Sequence, residues 1–289
     1  MAFSKLKVFL EMIKFEHTVF ALPFAYSGAL LAEKRIPTAH DLLWITLAMV
    51  GARTAAMSLN RVIDRHIDAK NPRTAGRALP KGLLGVGEVW VYVLISFVIL
   101  LFSAHQLSPL AFQLSPFAVL ALLTYSYTKR FTWACHLVLG AVLGMAPLGS
   151  WIGINGSIHL APVVLALGVL FWVAGFDIIY ACDDYAFDLK EGLFSIPARF
   201  GIKRALHISV LFHVAAALLF LSTGLLLKLG VLYLAGVFIA VGILFYQHIL
   251  VRPDDLSRAG VAFFNLNGTL SVVMFIFTFL DIIYPLQVI

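Results

Sequence analysis

The sequence predicts an all-α polytopic membrane protein in which nine transmembrane helices enclose a central cavity. Composition is the first reason: 61% of the 289 residues are hydrophobic and 12% are charged, about half the charge of an average soluble domain. The second is that the apolar residues gather in runs near the ~20 residues that cross ~30 Å of hydrocarbon. Lipid offers no partner for backbone N–H and C=O groups, so such runs must be helices.

Nine such runs follow one another, and one helical domain over residues 1–289 accounts for all of them. Three lysines precede the first run, which gives it some likeness to a signal peptide. Glu16 and His17 stand at its start and further spans follow, so we expect it to be the first span. The expected spans lie at about 15–33, 41–60, 89–107, 109–127, 133–154, 159–181, 205–227, 229–250 and 261–285.

The basic residues predict the orientation. With the N-terminus inside, 17 of the 21 Lys and Arg fall on the inner side. The outer connections hold Lys34, Arg35 and Lys228, and Arg53 lies within the second span. This asymmetry follows the positive-inside rule. It predicts a multi-pass protein of the cell (inner) membrane and explains the net charge of +6 without a nucleic-acid partner.

Two acidic windows follow the second and sixth spans, on the side that the basic residues mark as cytoplasmic. Together they hold seven of the 15 Asp and Glu residues. Positions four apart on an α-helix differ by only about 40° in direction, so each window presents its acids on one face if its helix continues. The two faces are Asn60, Asp64 and Asp68 in the first window, and Tyr180, Asp184 and Asp188 in the second.

Carboxylates repeated at this spacing suit a divalent cation. Mg²⁺ typically takes one or two carboxylates and completes its shell with water and substrate phosphates, so two acidic faces across a cavity suit a metal-bridged diphosphate. Solvated loop charges are the alternative for any single acid, but they do not explain the repetition on one side. Asp177 precedes Tyr180 inside the hydrophobic run, where an ionisable residue is costly and by default a functional candidate.

Basic residues accompany both windows and can complete an anion site. Guanidinium groups hold phosphate oxygens bidentately, whereas Lys supplies a point charge. The alternative is that these residues only anchor the chain by the positive-inside rule. That explanation is weaker for the basic residues between Pro72 and Gly82, because the Pro and Gly residues there imply a loop of defined shape. The candidates for diphosphate binding are Arg73, Arg77, Lys129, Arg130 and Lys190.

Three segments resemble the signatures of a known family. NRVIDRHIDAKNPRT at 60–74 resembles the first signature of the UbiA superfamily of intramembrane prenyltransferases, and DIIYACDDYAFDLK at 177–190 resembles the second. YSYTKRFT at 125–132 is similar to the segment between them. Many members carry a further acid directly after the first Asn, whereas this chain has Arg61. The resemblance covers essentially the whole chain and implies nine helices with both signatures at the cytoplasmic side.

The resemblance also implies a reaction and roles for particular residues. An allylic isoprenoid loses its diphosphate, and an electron-rich aromatic ring attacks the allylic cation. Polyprenyl diphosphate and an aromatic acid are then the substrates, within the lipid bilayer and with no protein partner inferable. Mg²⁺ would be held by Asn60, Asp64, Asp68, Asp184 and Asp188, while Asp177, Tyr180 and Tyr125 would line the reaction end of the cavity.

Alternatives remain for the acceptor and for the activity. The similarity is greatest to members that prenylate 4-hydroxybenzoate for ubiquinone, but a dihydroxynaphthoate, a precursor of menaquinone, is also a phenolic acid. Arg53, Asn265 and Asn267 could line the acceptor pocket, although an interhelical hydrogen bond is the commoner role for Asn within a span. A cation or phosphate-ester transporter would instead predict polar or broken helices near the midplane, often in two related halves.

Overall fold

The computed structural model describes residues 2–13 and 21–286, which form helices joined by turns and one isolated β-bridge between Arg252 and Asp255. The helices are α1 Ala2–Met12, α2 Leu22–Glu33, α3 Ala39–Lys70, α4 Val86–Leu107, α5 Pro109–Thr124, α6 Cys135–Asn155, α7 Leu160–Ala181, α8 Tyr185–Glu191, α9 Ile196–Phe200, α10 Ile202–Leu227, α11 Val231–Leu250, α12 Ala259–Val261 and α13 Asn267–Ile283.

Eight helical segments of the described chain are long and apolar enough to cross a membrane. They coincide with the second to ninth predicted spans, so the all-α, multi-pass fold class is confirmed. The first predicted span is described only from residue 21, where α2 begins one residue later. Glu16 and His17 lie outside the described residues.

Helix α3 carries the first acidic window at its C-terminal end. The Thr38 hydroxyl caps its start by accepting from the Asp41 N–H at 3.2 Å, as N-cap residues do. The helix then continues for 32 residues, or about 48 Å at ~1.5 Å per residue. Because ~30 Å spans the hydrocarbon, the helix is long enough to extend past it, and Asp64 and Asp68 lie in its last two turns.

Close backbone contact joins α6 to α7, the helix before the second acidic window. Gly140 and Gly144 stand four residues apart on α6, and small residues at this spacing let membrane helices approach. A Cβ at Gly140 would lie 2.3 Å from the Leu170 carbonyl oxygen, and one at Gly144 would lie 2.6 Å from that of Ala166. This contact fixes the position of α7, the helix that leads into the second acidic window, against α6.

Replacing Gly140 with Ala is expected to destabilise the fold by about 1–3 kcal/mol, as overpacking does. The added methyl group would meet backbone rather than a side chain that can move. Gly149→Ala on the same helix is the matched control, because its Cβ would meet nothing within 4 Å. Thermal unfolding in detergent should give a lower midpoint for Gly140→Ala alone. Equal midpoints would contradict the close contact.

A buried acid organises the start of α11. Asp281 on α13 is 3% exposed and accepts hydrogen bonds from the backbone N–H groups of Gly230 at 2.8 Å and Tyr233 at 3.1 Å. The first N–H groups of a helix have no partner within it, and a carboxylate there also complements the helix dipole. Asp281 is thus satisfied by structure far from the acidic windows.

Candidate active site

A cavity of about 990 Å³ runs through the bundle, as the fold class predicts. Its lining is apolar over most of its surface, with residues such as Ile45, Leu100, Leu107 and Ile152. Its polar end gathers the four acids of the two windows, Asp64, Asp68, Asp184 and Asp188. The cavity therefore joins an ionic end to an apolar interior.

Asp64 is the most enclosed of these acids, at 1% exposure. It accepts from Lys129 Nζ at 2.7 Å and from Arg130 Nη2 at 2.9 Å. Asn60 Nδ2 donates to it from one turn earlier, at 3.0 Å. The two cations belong to a 3-10 turn, Tyr125–Arg130, that follows α5. This turn brings the middle signature segment against the first.

Asp68 is held by the loop that follows α3. Arg77 Nη1 donates to its Oδ1 at 2.7 Å, and the Thr74 hydroxyl donates to its backbone oxygen at 3.0 Å. Its second oxygen, Oδ2, is buried and has no hydrogen-bond partner among the described residues. A buried carboxylate oxygen without a donor is costly, and a cation would satisfy it.

Arg73 connects the two signature regions directly. Its Nε donates to Asp184 Oδ1 at 3.0 Å, and its Nη2 contacts the other carboxylate oxygen. Its Nη1 lies 2.5 Å from the Tyr180 hydroxyl. Burial lowers the pKa of Arg73, but the hydrogen bond and charge of Asp184 outweigh it and raise the pKa above its ordinary value. Arg73 therefore stays cationic at the site.

The remaining candidates differ in position. Asp188 accepts from the Ser195 hydroxyl at 2.9 Å and lines the cavity. Tyr125 also lines it and donates to the Ala56 carbonyl at 2.9 Å. Lys190 is exposed on α8 and is absent from the described lining. The structure thus brings all the candidates except Lys190 to the cavity or into contact with its acids.

The carboxylates present fit a metal ion that is bound partly by the protein and partly by substrate phosphates. Within the described ranges, no three Asp, Glu, His or Cys side chains converge closely enough to form a complete metal site. Mg²⁺ often binds through only one or two carboxylates together with substrate phosphates. Asp64, Asp68, Asp184 and Asp188 offer such carboxylates, and the free Asp68 oxygen agrees with this use.

His136, which was not among the residues predicted from the sequence, pairs with Asp177. His136 Nδ1 lies 2.7 Å from Asp177 Oδ2, and both residues line the cavity. The two positions are 41 residues apart, and they meet because α6 packs closely on α7. A polar residue in an apolar run is the sequence signal for His136, but nothing in the sequence identifies its partner.

Aromatic residues form a wall beside Tyr180. A π-helical turn, Ala262–Leu266, precedes α13, and Phe263 within it stacks on Tyr180 with ring centroids 4.2 Å apart. Such turns often occur at functional sites. Arg53 also lines the cavity, whereas Asn265 is exposed.

Asn267 holds the π-helical turn in place. Its Nδ2 donates to the carbonyls of Ala262 and Phe263, both at 3.0 Å. Its Oδ1 accepts from Trp172 Nε1 on α7 at 2.9 Å and from Gln247 Nε2 on α11 at 2.8 Å. Asn267 lines the cavity too, but its amide is used in these interhelical contacts.

Comparisons with known proteins agree with this arrangement. The sequence profile of the UbiA prenyltransferase family matches residues 21–279. A 4-hydroxybenzoate octaprenyltransferase of Aromatoleum aromaticum is 28% identical, over 96% of this chain and 95% of that protein. A protein of the same name from Chromohalobacter salexigens is 31% identical over 85% and 82% of the two chains.

Solved structures show the same fold. A UbiA homolog from Aeropyrum pernix K1 is similar with a TM-score of 0.80 and 34% identity, covering 93% of this chain and 98% of that one. A UbiA homolog from Archaeoglobus fulgidus, bound to GPP and Mg²⁺, has a TM-score of 0.76 at 18% identity, covering 95% and 99%. On the extent of the family match and the fold, this chain belongs to the UbiA prenyltransferase family.

Proposed function

We propose that this membrane prenyltransferase transfers an allylic isoprenoid from its diphosphate to an aromatic acid of the 4-hydroxybenzoate type, in quinone biosynthesis. The observation that carries the proposal is the pair of acidic faces, lined with Arg and Lys, at one end of an apolar cavity. A prenyl diphosphate has the matching chemistry, an ionic head and an apolar tail. The names of the relatives from Aromatoleum and Chromohalobacter support an aromatic acid as acceptor.

The ionic end would bind the diphosphate. Arg73, Arg77, Lys129 and Arg130 would contact its phosphate oxygens, and Lys190 would add charge at the entrance. Asp64, Asp68, Asp184 and Asp188, with Asn60 in support, would hold Mg²⁺, which neutralises charge on the leaving diphosphate when bound. Fixed cations act similarly at the position where negative charge develops.

The reaction end would stabilise the cation and remove a proton. The carbon–oxygen bond of the prenyl diphosphate breaks, and diphosphate leaves with the electron pair. The aromatic wall of Tyr180 and Phe263 would stabilise the allylic cation by about 0.5–2 kcal/mol, while Tyr125 also lines the cavity. A carbon–carbon bond then forms to the aromatic ring, and the ring proton passes to the Asp177 carboxylate, which restores aromaticity.

The acceptor would lie towards Arg53. Arg53 precedes Asn60 by two helical turns on α3 and lines the cavity. A guanidinium can hold a carboxylate bidentately, which suits an acidic acceptor. A dihydroxynaphthoate is the alternative because it offers the same phenol and carboxylate. The basic connections support a protein of the cell (inner) membrane with its ionic end towards the cytoplasm.

Membranes containing the protein are expected to join a radiolabelled allylic diphosphate to 4-hydroxybenzoate or to a dihydroxynaphthoate when Mg²⁺ is present. EDTA should abolish the product, and added Mg²⁺ should restore it, because the anionic carboxylates repel the diphosphate unless a divalent cation lies between them. Chromatography of the labelled product across a panel of phenolic acids measures the preference. Membranes without the protein are the control. Lack of product with every phenolic acid would contradict the proposed function.

A further inference from the structure

The two ring nitrogens of His136 have different partners. Nδ1 faces Asp177 Oδ2 at 2.7 Å, and Nε2 lies 3.2 Å from the backbone nitrogen of Ile196. A backbone N–H can only donate, so Nε2 must accept and carries no proton. The single proton of the neutral imidazole is therefore on Nδ1, where it points at the carboxylate.

The surroundings hold this geometry in place. His136 is 2% exposed, so water does not compete for its ring. Ile196 begins α9, and the preceding Ser195 caps this helix through the Ala198 N–H at 3.2 Å. The same Ser195 hydroxyl donates to Asp188. A continuous path thus runs from Asp177 through His136 and the start of α9 to an acid of the second window.

We propose that His136 is a positioning residue that holds the Asp177 carboxylate as a proton acceptor facing the cavity. The proposal rests on the function proposed above. Donation from Nδ1 occupies Oδ2 and fixes the orientation of the carboxylate, while the side chain of Asp177 keeps 22% of its surface accessible. His136 touches no substrate in this role, and its own ring does not take the proton because Nε2 is occupied by Ile196.

Two amide substitutions separate the two contacts. The Asn Nδ2–H group lies close to the place of the histidine Nδ1–H, so His136→Asn keeps a donor to Asp177. Gln extends its amide towards the place of Nε2, so His136→Gln offers a partner to Ile196 instead. His136→Ala removes both contacts. Comparing the three variants tests which contact matters for the reaction.

We expect His136→Ala to lower kcat about 10–100-fold, by analogy with the loss when a hydrogen-bond partner that orients a metal ligand is removed, with the KM for the prenyl diphosphate changed less than about twofold. His136→Asn should recover most of the loss, and His136→Gln should not. Acceptor deuterated at the reacting ring position should show a larger isotope effect with His136→Ala, because proton removal becomes slower. Equal losses for Asn and Gln, or an unchanged isotope effect, would overturn the proposal.

A measurement without substrate decides the geometry independently. The ¹⁵N spectrum of the protein labelled at histidine should contain a neutral Nδ1–H signal that disappears in His136→Asn and shifts in Asp177→Asn. An Nε2–H or doubly protonated His136 would overturn the assignment. If no phenolic acid is prenylated but the Nδ1–H signal is found, the proposed function fails while the pairing stands. The two failures are therefore distinguishable.

Discussion

Asp64→Asn is expected to reduce turnover by at least about 100-fold, in line with the ~10²–10³-fold lost on removing one preorganised group that stabilises developing charge. Asn keeps the shape and one acceptor oxygen of Asp64 but removes its charge. Asp64 forms ion pairs with Lys129 at 2.7 Å and Arg130 at 2.9 Å. In the variant, both cations would face a neutral amide. The metal-binding end would be one carboxylate short. Steady-state transfer of labelled isoprenoid at saturating Mg²⁺ measures the loss.

Asp184→Asn should show a similar loss, because it removes a carboxylate from the opposite window. Asp183→Asn is the matched control for both: it makes the same change at the adjacent position, where the side chain is exposed and outside the described cavity lining. All three variants should stay folded, with a lower unfolding temperature for Asp64→Asn because a buried carboxylate that pairs two cations is lost. Near-normal turnover of Asp64→Asn or Asp184→Asn would remove that residue from the proposed metal site.

Asp177→Asn is expected to lower kcat by about 10²–10⁴-fold, the contribution of a positioned general base. The substitution is specific because the amide oxygen of Asn can still accept a hydrogen bond from His136 Nδ1–H. The local packing is therefore kept, while the carboxylate that takes the ring proton is lost. Prenyl diphosphate binding should change little, since Asp177 makes no contact with the Arg and Lys residues of the ionic end in the described contacts. Binding measured by protection from thermal unfolding distinguishes the two effects.

Turnover within tenfold of the wild type would show that another group takes the proton. A large loss accompanied by loss of diphosphate binding would instead move Asp177 to the ionic end. Either result contradicts the role proposed here for Asp177.

The part of the site that depends on local periodicity was predictable. Asn60, Asp64 and Asp68 share a face because α3 continues without a break to Lys70. The second window differs from a continued helix, since α7 ends at Ala181 and a 3-10 turn follows. Asp184 and Asp188 line the cavity all the same. Their spacing and their side of the membrane predicted this position correctly, although the continuous helix expected there is interrupted by the 3-10 turn.

The side-chain pairs that join different helices were not predictable. His136 finds Asp177 only because Gly140 and Gly144 bring α6 against α7, and a single sequence does not say which helices are neighbours. The polar residue Asp281 likewise has its partners at the start of α11. These pairings are set by tertiary packing rather than by spacing.

Helix α1 was missed, although a signal was present. Leu6, Phe9, Leu10 and Ile13 follow the i, i+3, i+4, i+7 pattern of an amphipathic helix. The lysines at 5, 7 and 14 predict only the membrane orientation of the chain. In the structure, Phe9 and Ile13 are buried in a cluster with Val62 of α3, so the segment packs beside the first window.

The hydrogen bonds of Asn267 have a consequence for how this sequence can change over evolutionary time. Its carbonyl and amide are both fully used, by Trp172, by Gln247 and by two backbone carbonyls. Replacing Asn267 would leave two side-chain donors and two backbone carbonyls without this partner. A change at 267 should therefore be tolerated only with changes at 172 and 247, and these three positions should covary among descendants of a common ancestor.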